Sequence, residues 1–290
     1  MLKKLHEPVL LKEVISSLHV ENQARYIDAT LGTGGYTKAM LEKGAEVLSI
    51  DADESMIQIA KRNLKGLKAN LVHANFKDIS RIATDKNFKD VDGIVFDLGV
   101  SNVHFQDDER GFSFRNPDAD LDMRLDPKSN NVKASDLLNI LREDQLKEIF
   151  GKSIAKKIVE FRKKKKFQKV NDFLEIFSKT NRSAQKLAAV KGARSKRVKS
   201  IHPATVPFMM LRIAVNSELD NLRKALPQAW DLLKPGGRLV VISFHSLEDE
   251  IVKNFFKSKG GKNEFTRPSD EEIKKNPKSR SAIMRVLIKK

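Results

Sequence analysis

The 290-residue sequence contains no cysteine. That excludes disulfide staples, a thiolate nucleophile and cysteine-ligated zinc, and it suits a reducing compartment. Histidines are few and scattered, six in all, so a histidine metal site has no support either. No apolar run approaches the roughly 18 residues that a membrane-crossing helix needs. The N-terminal stretch "MLKKLHEPVLLKEVISSL" is interrupted by Glu7, Pro8, Lys12 and Glu13. It therefore lacks the unbroken apolar region of a secretory signal and reads as part of the fold. Three nucleotide or hydrolase fingerprints are also missing: G-x-G-x-x-G, the Walker pattern ending in Gly-Lys-Ser/Thr, and the G-x-S-x-G elbow. The expectation is a cytoplasmic protein with no membrane association.

What is present is charge. The chain carries a net charge of +17, with 40% hydrophobic residues to build a core. Residues 150–200 hold 17 Lys/Arg against 3 Asp/Glu, and residues 253–290 hold 12 against 4. The rest of the chain is net acidic, so the excess belongs to two segments. One reading is a solvated lysine-rich surface. The other is a phosphate-facing surface, because clustered Lys/Arg gain by releasing counterions from a polyanion. Neither run has a long apolar face with interfacial tryptophan, which disfavours a lipid surface. Nucleic acid is the expected partner.

From Arg25 onward, short apolar runs alternate with helical patterns. "YIDAT" (26–30), "VLSID" (47–51), "NLVHAN" (70–75) and "GIVFDLG" (93–99) read as strands, with helices near 36–43 and 55–64 between them. Such alternation implies a parallel sheet with right-handed crossovers. After Gly99 it stops. An ordered loop is expected from Phe105 to Leu125, followed by helices over 134–151, 153–166 and 170–180 and a weakly periodic basic loop near 181–205. The βα plan resumes with a helix over 207–225, which Pro227 kinks or restarts. A turn at "KPGG", a strand to Phe244, a helix over 248–261 and a last strand over 280–290 complete it. The fold class is α/β: a doubly wound, mostly parallel, Rossmann-like sheet. Its expected parts are 1–104 with 201–290 as the sheet domain, and 105–200 as an inserted, basic helical subdomain.

Gly32, Gly34 and Gly35 stand at the carboxyl end of the first strand, where open α/β sheets bind ligands. Glycines there permit close backbone approach, although an ordinary tight turn uses them too. Asp51 ends the next strand and can accept hydrogen bonds from both ribose hydroxyls of an adenosine. Asp53 is the alternative user of that turn, as a helix cap. With no dinucleotide or Walker pattern, and with Asp28 leading the loop, a positively charged cofactor without a pyrophosphate fits best. S-adenosylmethionine, with its ammonium and sulfonium, is that cofactor. Asp97 ends the fourth strand, where transfer chemistry sits in such sheets. It reads as a cofactor, substrate or catalytic carboxylate, with a structural role as the rival.

The motifs "HEPVLLKEVI", "YIDATLGTGGYT", "DGIVFDLGVSN", "ERGFSFRNPDADLDMRLD", "HPATVPFMMLRIAVNSELDNL", "GGRLVVISFHSLEDEIVK" and "NPKSRSAIMR" together resemble one family, the ribosomal RNA small subunit methyltransferase H family. They run from His6 to Arg285. The resemblance implies a class I methyltransferase fold and S-adenosylmethionine-dependent methylation of N4 of a cytidine in 16S-type ribosomal RNA. It further implies cofactor contacts from Gly34, Gly35 and Tyr36, ribose binding by Asp51, Phe76 beside the adenine, and Asp97 and His104 completing the pocket. Tyr36 stands where the family usually has histidine, His104 where it usually has glutamine, and Val206–Met209 replace a usual Arg-Thr-Phe-Gln.

A methylated base must leave its stack, and aromatic rings can hold it. Phe105, Phe112 and Phe114 are candidates, with loop packing as their alternative. Arg110, Arg115 and Arg124 could grip phosphate or pair with nearby aspartates. "SFHSLED" follows a strand and places Ser243 and His245 at the carboxyl edge of the sheet as substrate-binding candidates. The expected partner is small-subunit ribosomal RNA, free or in the assembled 30S-type subunit. The oligomeric state is left open, with a homodimer among the alternatives. The rival function is a non-catalytic RNA-binding assembly factor that retains the fold.

Overall fold

The computed structural model describes residues 8–106, 109–177, 202–262 and 264–290. Six strands form one sheet: β1 (Arg25–Asp28), β2 (Glu46–Asp51), β3 (Asn70–His73), β4 (Val91–Asp97), β5 (Leu233–Ser243) and β6 (Ile283–Ile288). Their order is β3-β2-β1-β4-β5-β6, and only β6 runs antiparallel to its neighbour. The order reverses between β1 and β4, so the carboxyl ends of those two strands flank a topological switch point. The "KPGG" turn appears as an irregularity inside β5: Val91 pairs with Leu233, while Gly93 pairs with Arg238.

Both faces of the sheet are covered, which is why its strands read as continuous apolar runs. On one face Ile27, Leu48, Ile50, Ile94, Phe96 and Val241 pack with residues of α4 (Ile79–Asp85), α11 (Glu218–Leu232) and α12 (Ser246–Ser258). On the other, Tyr26, Val47, Val95, Val240 and Ile242 pack with α1 (Leu11–Leu18) and α2 (Gly35–Glu42). Helix α3 (Glu54–Asn63) closes a smaller cluster in which Ile57, Ala60 and Leu64 meet Leu31. Helix α13 (Asp270–Lys275) precedes the edge strand β6.

The chain divides into two compact units at Ser101/Asn102 and Ser217/Glu218. The second unit contains α5 (Asn102–Gln106), α6 (Ala134–Ile140), α7 (Glu143–Phe150), α8 (Lys152–Arg162), α9 (described over 170–177) and α10 (Thr205–Asn216). Its limits differ from the expected 105–200, chiefly by one helix. Helix α10 packs with α6 and α7, and its last residue, Asn216, donates to the Met123 carbonyl (2.8 Å) and accepts from Leu125 N (2.9 Å). Those bonds tie α10 to the loop of the insert.

Two expected helices are each broken in two. The run over 134–151 stops at Leu141, whose ψ is 139°. Gln145 then accepts from Arg142 N (3.0 Å), so "REDQ" starts a new helix instead of continuing the old one. The run over 207–225 breaks at Ser217, which takes φ 50° as the end of α10. Pro227 does not restart the chain: α11 is helical on both sides of it. Of the loop expected over 105–125, residues 107 and 108 lie outside the described residues, and Phe112, Ala119, Leu121 and Met123 are buried. The stretch near 181–205 lies mostly outside the described residues.

Candidate functional site

Asp28, the last residue of β1, is fully buried. Its Oδ2 accepts from Thr37 Oγ1 (2.7 Å), its Oδ1 from Thr30 N (3.2 Å), and Thr37 Oγ1 lies 2.8 Å from Ser49 Oγ. This carboxyl therefore braces the glycine loop from behind and is not free to meet a ligand. Burial raises it to about 6 despite three hydrogen bonds that favour the ion. The loop it braces turns sharply. Gly34 takes φ 91°, a conformation that L side chains rarely adopt, at the start of α2. Gly35 is needed for space: a Cβ there would stand 2.1 Å from Pro8 Cγ.

Asp51 closes the other side. Its Oδ2 accepts from Gly32 N (2.7 Å) and its Oδ1 from Asp53 N (2.8 Å). Each carboxylate oxygen keeps a further lone pair for a ligand hydroxyl. Asp53 caps α3 through Ser55 N (2.7 Å), so the cap role is filled and Asp51 is left to the loop. Burial, the largest influence, pushes Asp51 up to about 7. Ala74 N donates to the Asp51 carbonyl (2.9 Å). Two residues further on, Phe76 begins a short 3-10 turn with its ring edge-on to Phe96, centroids 5.5 Å apart and planes at 86°. Phe76 keeps an exposed side at the carboxyl end of β3.

Asp97 ends β4. Its backbone N donates to Thr30 Oγ1 (2.6 Å), and Tyr36 Oη lies 3.3 Å from its Oδ2. Oδ1 is sealed from solvent and has no hydrogen-bond partner. Burial first, and the charge of Asp28 second, push this carboxyl to about 8. A buried acceptor without a donor is costly unless a ligand supplies one. Thus the carboxyl ends of β1, β2 and β4 present a glycine turn, one carboxylate with spare lone pairs and one orphaned carboxyl oxygen. Cationic and hydroxyl-bearing ligands match that set. S-adenosylmethionine carries both kinds of group, so the residues present fit it.

These carboxyls also govern stability. A carboxyl raised above its usual 3.8 is harmless to the folded state at low pH. It destabilises progressively as pH rises toward the raised value and does so fully above it. Asp97→Asn is therefore expected to melt higher than the parent at pH 9 in the absence of ligand, by roughly several degrees. The gap should shrink to about a third by pH 5 and close near the usual value of 3.8. Calorimetric melting at both pH values checks this, and a variant that melts lower at pH 9 would contradict the site's electrostatics.

Ser243 and His245 stand at the end of β5, engaged inward. Ser243 is buried and its Oγ donates to the Ile283 carbonyl (3.3 Å). His245 Nδ1 accepts from Glu248 N (3.4 Å) as the cap of α12, while Glu248 Oε2 accepts from Phe244 N (2.8 Å). His245 Nε2 lies 3.2 Å from Glu248 Oε1 but is not aligned for a hydrogen bond. Asp249 forms a bidentate pair with buried Arg285, at 2.8 and 3.0 Å. The "SFHSLED" run thus has a structural explanation, a capped helix start tied to β6. The partners of Ser243 and His245 are the Ile283 carbonyl and the Glu248 N–H, and they are not each other.

The remaining candidates belong to the second unit. His104 is buried in α5 with its ring 5.2 Å from that of Phe112, and the Arg110 guanidinium stands 5.4 Å over the same Phe112 ring. Phe112 itself is buried, and Phe114 packs edge-on to Phe208 at 4.5 Å. Arg124 grips Asp122 bidentately, at 2.6 and 2.7 Å, and donates to the Asn130 carbonyl (2.9 Å). Of its two possible uses, pairing with an aspartate is the one seen. At the end of α8, Lys163, Lys164 and Lys166 are exposed, whereas Lys165 reaches Asp172 (2.6 Å). Among the described residues no cluster of side chains could hold a metal ion, and no helix is long and apolar enough to cross a membrane.

Sequence reasoning missed the supporting residues. Thr37 and Ser49 were invisible because a hydroxyl on an apolar face gives no periodic signal. Thr30, which orders the Asp97 backbone, sits inside the strand run and looked like part of it.

A family model described as the MraW methylase family matches residues 3–290. A protein of Dictyoglomus thermophilum named ribosomal RNA small subunit methyltransferase H is 40% identical over 302 residues, covering 98% of this chain and 96% of its own. Proteins of the same name from Methylacidiphilum infernorum (40% identical, covering 97% and 93%) and Pseudothermotoga lettingae (39%, covering 99% and 99%) are similar over comparable lengths.

Proposed function

The chain belongs to the MraW methylase family, and from that premise we propose that it methylates the exocyclic N4 of a cytidine in small-subunit ribosomal RNA with S-adenosylmethionine. The observation that carries this reading is the pairing, at one sheet edge, of Asp51 with spare lone pairs and Asp97 with an orphaned Oδ1. The names of the 39–40% identical relatives supply the substrate class.

When bound, S-adenosylmethionine supplies an electrophilic methyl group on a sulfonium. The chain's part is to hold, orient and select. Asp51 accepts the ribose hydroxyls, the Gly32–Gly35 turn lets backbone approach, and Phe76 offers a flat apolar side for the adenine. Asp97 Oδ1 takes an N–H from the cofactor's ammonium or from the cytosine amine. Cytosine N4 is a weak nucleophile because its lone pair is delocalised into the ring. An acceptor on an N4 hydrogen favours the pyramidal amine, and a fixed position near the methyl supplies the proximity term. Cationic ligand groups lower a neighbouring carboxyl, so Asp97 ionises more readily in the loaded site.

The inserted unit, with its basic surface, serves as the RNA-recognition part, and small-subunit RNA, free or in the assembled subunit, is its substrate. The protein acts in the cytoplasm. Incubating it with methyl-labelled cofactor and either deproteinised small-subunit RNA or assembled subunits tests this. Label must enter the RNA of at least one of the two, and label in neither would overturn the reading.

Of the four exposed lysines that follow α8, Lys165 is paired with Asp172, which leaves Lys163, Lys164 and Lys166. Replacing all three with glutamine is expected to weaken RNA binding and to flatten the log–log salt dependence by about 2, at ~0.7 per phosphate contact on single strands. Cofactor affinity should not change. An unaltered slope would make these lysines a solvated helix end.

A further inference from the structure

The "HEPVLL" motif has no part in the chemistry described so far, yet its Pro8–Leu10 segment is clamped onto the cofactor turn. Pro8 fills the space that a Cβ on Gly35 would need. The Val9 carbonyl accepts from the Tyr36 hydroxyl. Leu10 is buried with φ 53°, strained for a leucine, and its N–H donates to Glu272 Oε1 (2.9 Å). Three separate anchors hold a short strap in a costly conformation. What they hold in place is the Tyr36 ring, itself buried.

Tyr36 Oη has two neighbours, the Val9 carbonyl and Asp97 Oδ2 at 3.3 Å. A phenol has one hydrogen to donate. While Asp97 is neutral, Asp97 can donate to Tyr36 Oη and Tyr36 to Val9, so both are satisfied. When Asp97 ionises, its carboxylate is the stronger acceptor and draws the Tyr36 hydrogen. In both states Oδ2 is occupied from one fixed direction, and Oδ1 is left over.

We propose that Tyr36 is a positioning residue for Asp97: it fixes the carboxyl through Oδ2, so that Oδ1 is the oxygen left over for a ligand's N–H donor, and the Pro8–Leu10 strap sets where the Tyr36 hydroxyl stands. The proposal rests on the methyltransferase reading only for which ligand supplies that donor. The geometry is a property of the ligand-free chain.

The charged groups around this pair are known. Asp28 and Glu248 face Asp97 and raise it, while the Tyr36 hydrogen bond lowers it. Asp28, Asp97 and Glu272 face Tyr36, which burial holds well above the ordinary phenol value. Removing the hydroxyl therefore takes away a group that favours ionised Asp97.

The test is a carboxyl-carbon NMR titration of Asp97 in ligand-free protein, with the resonance assigned from Asp97→Asn. The parent is expected to titrate near 8 and Tyr36→Phe higher, by about half a pH unit or more. The same samples, titrated calorimetrically with S-adenosylhomocysteine at pH 8, should show roughly tenfold weaker binding in Tyr36→Phe. In an Asp97→Asn background the hydroxyl should make no further difference, because a residue acting through another is non-additive with it. An unmoved Asp97 titration, or losses that simply add, would overturn the proposal. Tyr36→His, which keeps a ring N–H donor, covers the case in which Tyr36→Phe does not fold: Asp97 should then titrate near the parent value, and a shift of half a unit or more upward would count against the proposal. A parent that titrates as expected but binds no cofactor would refute the functional reading and leave the positioning role standing.

Discussion

Asp97→Asn is expected to fold, to melt no lower than the parent, and to lose methyl transfer by roughly a hundredfold or more, as for about 2.7 kcal/mol of barrier lowering. The substitution keeps the shape of the side chain and removes the charge that develops on it in the loaded site. Its Oδ1 is the one buried carboxyl oxygen of the site left without a donor among the described residues. A group that is unsatisfied without ligand and satisfied with it contributes where binding and reaction occur. Comparing the variant's kcat with its cofactor affinity separates the two partners open to Oδ1. Loss confined to cofactor affinity assigns it to the ammonium. Loss in kcat at saturating cofactor assigns it to the cytosine amine. Full activity in Asp97→Asn would move the chemistry to the backbone of the exposed turn at Gly99.

Asp51→Ala should weaken cofactor binding more than any other single truncation in the site, by about 1.5–3 kcal/mol, or roughly 10- to 150-fold. The carboxylate offers charge-assisted acceptance to two ribose hydroxyls, and two backbone N–H groups already fix its orientation. Its pH signature follows from burial. Asp51 stands at about 7 and Asp97 at about 8 in the free protein, and ribose hydroxyls and the cofactor's cationic groups favour the ions. Affinity should therefore strengthen as pH rises through 7 for Asp51, strengthen again through 8 for Asp97, and level off above. Asp51→Asn should remove the Asp51 part of that dependence, and because its amide NH2 cannot accept, it gives up one of the two backbone partners. Calorimetric titration from pH 6 to 9 reads both effects, and unchanged affinity in Asp51→Ala would end the ribose assignment.

The sheet was legible because its signals are local. Apolar runs ending in Asp28, Asp51 and Asp97 mark strand ends, and open α/β sheets place ligands at those ends. The glycine turn was legible for the same reason. What linear sequence hides is the direction in which a side chain points. Asp28, read as part of an acidic lead to the cofactor, turns inward to Thr37 and Ser49. Arg124 has Asp122 two residues away, and nothing in the spacing decides between that partner and a phosphate. The broken helices were readable in part. Arg142-x-x-Gln145 carries a start signal inside an apolar periodicity that outweighed it, and Ser217 adopts a left-handed conformation that composition does not announce. The strap over Gly35 depends on residues 25 or more apart in sequence, beyond any periodic reading.

The central claim is that this chain transfers a methyl group to N4 of a cytidine in small-subunit ribosomal RNA. Mass spectrometry of nuclease-digested small-subunit RNA, from cells with and without the gene, tests it most directly. The expected result is N4-methylated cytidine present with the gene, absent without it, and not restored by the Asp97→Asn variant. An identical nucleoside profile in both strains, from a protein that still binds RNA and assembling subunits, would contradict the claim and favour a scaffold that retains the fold without turnover.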